Sequence, residues 1–205
     1  MQYLFTWEYD HEHYLNDVKS KEKYKREVLQ AMEESRLPFF IKRRAIKLAK
    51  QLCELQFLLE ETEQRNLALN EEIWVSDCLE YNVNQIYKYA IQNKIEFQEV
   101  NVSEVIEYCN VDNNLDIRFV KMNDSLRKSK EENPVIILES EMFMHPFIVN
   151  GNHRIGEANK KGRNTIKAWV LDADSVIHCL ISEDYKAAYA IYKKFYRLLG
   201  LKLNC

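Results

Sequence analysis

The sequence predicts an α+β protein: a helical N-terminal part, then a small α/β domain, then a C-terminal helix. Three observations carry that reading. Four glycines and three prolines in 205 residues favour long regular elements over a loop-rich fold. Apolar residues recur at helical spacing over residues 24–91. From Ile95 the period drops to two, and Ile95-Glu96-Phe97-Gln98-Glu99-Val100 alternates apolar with polar as a half-buried strand does.

Tyr24, Val28 and Met32 repeat every four residues in a charged segment that stops before Pro38, the pattern of an amphipathic surface helix. A second helix is expected from Phe39 to about Arg65, with Ile41, Ala45, Leu48, Leu52, Leu55 and Leu59 spaced 4, 3, 4, 3, 4. That seam is too short to demand a coiled coil, so it is read as one side of a helical hairpin, with a dimer seam as the alternative. A third helix is expected to start at Ser76, a good N-cap, and to carry Leu79, Val83, Ile86, Ala90 and Ile91 on one side until Asn93. The boundary falls within Gln92 to Glu96, giving a helical domain over 1–94 and an α/β domain with its terminal helix over 95–205.

Beyond the first strand, candidates follow at Asp116 to Met122, Pro134 to Leu138, Phe147 to Asn150 and Thr165 to Leu171. Helix candidates at Ser103 to Tyr108, Asp124 to Lys130 and His153 to Lys161 separate them. The final helix is capped by Ser182, with Glu183 and Asp184 at the positive end of its dipole. Its stripe of Tyr185, Ala188, Tyr189, Tyr192, Phe195, Tyr196 and Leu199 is read as core, with a partner-binding surface as the alternative.

Composition narrows the function classes. Apolar residues make up 46% and charged residues 30%, the balance of a globular chain. No apolar run reaches the roughly 18 residues of a membrane span, and the N-terminus lacks the basic start and apolar core of a signal peptide, so a cytoplasmic location without membrane contact is expected. Cys53, Cys78, Cys109, Cys179 and Cys205 form no CxxC pair and suit buried, reduced thiols rather than disulfides or zinc ligands. Glu8, Asp10, His11, Glu12 and His13 are metal-ligand types without helical i, i+4 spacing of the histidines, and no metal site is assigned to them.

A formal net charge of −3 leaves any nucleic-acid contact to a local patch. Arg36, Lys42, Arg43, Arg44, Lys47 and Lys50 form a basic stretch with no acid between Leu37 and Gln51. It is read as a solvated face partly balanced by Glu60, Glu61 and Glu63, with nucleic-acid or partner contact through Arg43, Lys47 and Lys50 as the alternative.

Chemistry concentrates in NGNHRIGEANKKG, Asn150 to Gly162. A strand that ends in Asn-Gly and turns into a helix leaves the first helical N–H groups without intrahelical partners, and these donors with the helix dipole make an anion site. Gly151 permits the tight turn and the approach of a phosphate, Asn150 or Asn152 supplies a cap, and Arg154 reaches a phosphate with a bidentate fork. Gly162 closes the helix. Asn-Gly is also a common hairpin turn, and His153-Arg154 is then a solvated helix start.

Four segments, EVNVSEV (99–105), NPVIIL (133–138), IVNGNHR (148–154) and GRNTIKAWV (162–170), together resemble the ParB/sulfiredoxin superfamily. That family shows a V-x-V/M-S-x-I strand, a P-I-x-V strand, an aliphatic-D-G-x-H-R-x-x-A turn and helix, and a G-x-x-x-I-P-x-x-V strand in this order. The similarity covers roughly residues 96–172 and implies nucleotide phosphates at Gly151, His153 and Arg154.

Departures narrow the choice. Asn152 stands where sulfiredoxins have their cysteine nucleophile, and Gly156 stands where partition clamps have a further arginine. The clamps carry a helix-turn-helix domain after this fold, where about thirty residues with one aromatic helix are read here, so the reductase and clamp activities are disfavoured. Asn150 replaces the usual aspartate and removes a charge that would hold a metal or orient the histidine.

What remains resembles the kinase or ATPase branch, which implies Mg²⁺ with ATP or ADP and a carboxylate that activates or positions the acceptor. Glu107 and Glu157 are the candidates for that carboxylate, each with an ordinary exposed state as the alternative. His153 protonates or hydrogen-bonds a phosphoryl oxygen, or caps the turn. The expected function is nucleotide binding with Mg²⁺-dependent hydrolysis or phosphotransfer. The alternatives are a non-enzymatic nucleic-acid- or protein-binding module of a phage or mobile element, and a ParB-like nuclease.

Overall fold

The computed structural model describes residues 18–55, 73–76, 79–108, 134–143 and 145–200. Its contacts divide into two units, one of residues 1–84, 141–144 and 177–205, the other of residues 85–140 and 145–176. The strand expected at Asp116 to Met122 and the helix expected at Asp124 to Lys130 lie outside the described residues, as does the acidic and histidine-rich cluster near the N-terminus.

In the first unit, α1 (Val18–Glu34) buries Tyr24, Val28 and Met32, which fall on one helical face because they are four residues apart. It packs against α2 (Phe39–Glu54), whose buried residues are Ala45, Leu48, Ala49, Leu52 and Cys53. Lys42 crosses the connection and donates from Nζ to the carbonyl oxygens of Glu33 at 3.3 Å and Ser35 at 2.7 Å. A cation there satisfies acceptors that the end of α1 leaves open.

The second helix ends sooner than its seam implies. Leu55 is extended, with φ −71° and ψ 147°, and its carbonyl accepts from Lys21 Nζ at 3.1 Å. This tie to α1 comes from 34 residues away and leaves no trace in the local periodicity. Leu59 and the rest of the expected helix to Arg65 lie outside the described residues.

The third helix is corrected at its start. Here β1 (Ile73–Ser76) and β2 (Leu79–Asn82) pair antiparallel, with Trp74 opposite Tyr81 and Ser76 opposite Leu79. The helix, α3 (Val83–Gln92), begins only at Val83. All four residues of β2 are buried, so both faces of the strand are covered, and a helix would have turned Glu80 or Asn82 away from that cover. Tertiary bonds hold the strand: Ile181 N donates to Glu80 O at 3.1 Å, and Tyr185 Oη donates to the Glu80 carboxylate at 2.6 Å.

The second unit is a four-stranded mixed sheet. It comprises β3 (Gln98–Asn101), β4 (Val135–Glu139), β5 (Phe147–Asn150) and β6 (Thr165–Asp172), ordered β3-β6-β4-β5. β6 runs antiparallel to β3 and parallel to β4, and β4 pairs antiparallel with β5. Two helices, α4 (Val102–Tyr108) and α5 (Asn152–Lys160), cover one face. Val102 and Val105 from α4, with Ile155 and Ala158 from α5, pack on Val135, Ile137, Ile148 and Ala168 of the strands. Alternation sends Trp169 to the opposite face, where Tyr87 of α3 meets it edge-on at 5.5 Å.

After β6 a 3-10 helix, η1 (Ala173–Cys179), leads to α6 (Glu183–Leu199). Ser182 caps α6 by accepting from Tyr185 N at 3.3 Å. Within the first unit α6 packs on α2 and β2, and it buries Tyr185, Ala188, Tyr189, Tyr192 and Phe195 of the aromatic stripe as core, while Tyr196 and Leu199 are half-buried. No described helix is long and apolar enough to cross a membrane.

Candidate functional site

The motif opens where β5 ends. Gly151 sits at the N-cap of α5 with φ 112° and ψ 12°, a conformation that strains residues with a β-carbon. Its surroundings impose the same choice: a Cβ at Gly151 would lie 2.8 Å from Val135 Cγ2 and 3.1 Å from Arg154 Nη2. The turn is thus pressed against the first residue of β4, and the α5 ladder starts with Ile155 N donating to Gly151 O at 3.0 Å.

The N-cap position of α5 is taken by Gly151, which has no side chain with which to cap. The Asn150 side chain reaches the arginine, and its Oδ1 accepts from Arg154 Nη2 at 2.8 Å. The same nitrogen lies 3.3 Å from Tyr87 Oη, which in turn donates to Pro134 O at 3.2 Å. Arg154 is half-buried, and Asn150 Oδ1 and Tyr87 Oη hold its guanidinium within the first turn of α5. Tyr87 is the residue that sequence reasoning missed. It lies 67 positions from Arg154, and no pattern near it points to the turn.

The other end of α5 closes as expected. Gly162 has φ 65°, its N–H reaches Asn159 O at 3.0 Å, and Arg163 N reaches Ala158 O at 2.9 Å, the paired bonds of a Schellman ending. Between the two ends, a β-carbon at Gly156 would meet nothing within 4 Å.

The structure thus brings Asn150, Gly151, Asn152 and Arg154 together at one strand-to-helix turn. His153 occupies the second position of α5, and its side chain lies outside the described residues. Glu157 lies six residues beyond Gly151, roughly 9 Å along the axis, and pairs with Lys161 at 3.4 Å toward the C-terminal end. Glu107 is exposed in the last turn of α4, the helix that shares a core with α5. Arg43, Lys47 and Lys50 belong to the first unit, exposed on α2. Among the described residues no three of His, Cys, Asp and Glu gather as metal ligands.

Cys53 and Cys179 are free, buried thiols, each pushed up to about 11 by burial. Thiols so placed are poor nucleophiles at neutral pH. Cys78, Cys109 and Cys205 lie outside the described residues.

No protein-family model, curated protein or solved structure matches this chain.

Proposed function

We propose that the turn Asn150 to Arg154 binds the phosphate group of a nucleotide. The observation that carries the reading is the start of α5, where Arg154 is held beside Gly151 by Asn150 and Tyr87. First-turn amides and the helix dipole favour an anion, and a guanidinium positioned at the turn offers a phosphate a bidentate fork. The resemblance of residues 96–172 to the ParB/sulfiredoxin superfamily supports the same assignment, with ATP or ADP and Mg²⁺ as the ligand set.

Mg²⁺-dependent hydrolysis or phosphotransfer asks more of the site. Phosphate oxygens would supply much of the metal's coordination, and one protein carboxylate is needed to hold it or to position the acceptor. Glu107 suits that role better than Glu157, whose carboxylate is engaged by Lys161. Binding needs only Arg154 and the helix amides, so the geometry supports binding more directly than turnover. A module that binds without catalysis is the second reading. A cytoplasmic location accords with a chain whose described cysteines are free thiols.

Thermal unfolding of wild type and Arg154→Ala with ATP, ADP, CTP or GTP and Mg²⁺ tests the binding claim. Phosphate release by wild type and Glu107→Ala then separates turnover from binding alone. Release by wild type that is lost in Glu107→Ala supports an enzyme, and a wild type that binds without release is a binding module.

A further inference from the structure

A second surface with the marks of a binding face lies on α2. The helix buries Ala45, Leu48, Ala49, Leu52 and Cys53, and its other side exposes Phe39, Phe40, Arg43, Arg44, Lys47 and Lys50 around one shallow open groove. Phe39 is 77% exposed and Phe40 69%, the two highest values among the large exposed apolar residues of the described chain. Two adjacent rings held in water at that level mark a surface built for contact.

The charges differ from those of an ordinary solvated face. On α1, Lys25 pairs with Glu22 at 2.7 Å and Lys23 with Glu27 at 3.9 Å. On α2 the first acid is Glu54, the last residue of the helix. Lys42 is drawn aside to the carbonyls at the end of α1, and among the described residues Arg43, Arg44, Lys47 and Lys50 form no ion pair or side-chain hydrogen bond. Four unmatched cations thus gather on one face of a protein whose formal net charge is −3.

We propose that this face of α2 binds single-stranded nucleic acid. Phe39 and Phe40 supply stacking platforms for unpaired bases, and the four cations follow at helical spacing along the strand's phosphates. A duplex hides its base faces within the stack and leaves the rings nothing to cover. An anionic membrane is a poorer fit: the apolar side of α2 is already spent on the protein core, and a surface-lying helix needs that side for lipid. The inference stands apart from the phosphate-binding turn and uses none of its residues.

Fluorescence anisotropy with a labelled oligo(dT) 15-mer, the matching duplex and phosphatidylserine vesicles tests it. The single strand is expected to bind more tightly than the duplex, with a log–log salt slope near −3, about −0.7 per neutralised phosphate. Phe39→Ala with Phe40→Ala is expected to weaken binding by about tenfold or more at unchanged slope. Arg43→Gln with Lys47→Gln and Lys50→Gln is expected to flatten the slope toward −1. Arg154→Ala is expected to bind the oligonucleotide as wild type does. All the α2 substitutions are at exposed positions, and unchanged thermal unfolding verifies that the variants fold. Absence of oligonucleotide binding at low salt, preference for the duplex, binding indifferent to these substitutions, or binding to vesicles alone would each overturn the proposal.

Discussion

A β-carbon on Gly151 would meet Val135 Cγ2 at 2.8 Å, and the residue's φ of 112° strains any L side chain. Gly151→Ala is therefore expected to destabilise the protein by about 1–3 kcal/mol, read as a lower urea midpoint at unchanged slope. The sequence justifies this glycine by a phosphate's approach, but packing on Val135 already requires it, so the glycine alone carries no functional weight. Arg154 carries more, because Asn150 and Tyr87 fix it at the turn. The motif residues were legible from their order along the chain. Tyr87 was not, because its contribution depends on a contact formed only in the fold.

The buried thiols make a second test at the residue scale. Burial pushes Cys53 and Cys179 up to about 11 in the folded state, whereas an unfolded thiol titrates near 8.5–9. The unfolded chain loses these protons first, so stability falls as pH rises from about 9 to 11 and is unaffected by these groups below that window. Urea titrations across the window are expected to show a smaller alkaline loss in Cys53→Ala with Cys179→Ala than in wild type.

Among the elements, α1 and α6 were the plainest in the sequence, because an amphipathic period with a cap or a proline stop is a local signal. β4, β5 and β6 were legible as short apolar runs near turn residues. The antiparallel pair of β1 and β2 was not. Leu79, Val83, Ile86 and Ala90 fit a helical period, but β2 is buried on both faces, and strands covered on both sides lose the alternation that identifies them. The early end of α2 was hidden for a related reason, since Lys21 ties down Leu55 from another helix. Within α5, Gly156 occupies a helix interior with open space where a β-carbon would go. Gly156→Ala is expected to stabilise by about 0.5–1 kcal/mol, measured as a higher urea midpoint.

For the molecule as a whole, chain order and contact order diverge. α6 follows the sheet strands in sequence, yet it packs on α2 and β2 within the first unit, a pairing that periodicity cannot reveal. The α+β class was legible because it depends on local periods, whereas the grouping of elements depends on long-range burial. Function divides along the same lines, with a nucleotide-phosphate turn proposed in the second unit and a nucleic-acid face proposed on α2 of the first.

The most direct test of the nucleotide-binding claim is thermal unfolding of wild type and Arg154→Ala with ATP, ADP, CTP or GTP, each with Mg²⁺. At a hundred times Kd a bound nucleotide adds about 2.7 kcal/mol, or about 5–10 °C for a chain of this size. The account predicts that shift for at least one nucleotide in wild type and its loss in Arg154→Ala. No shift with any nucleotide, or an equal shift in both proteins, would contradict it.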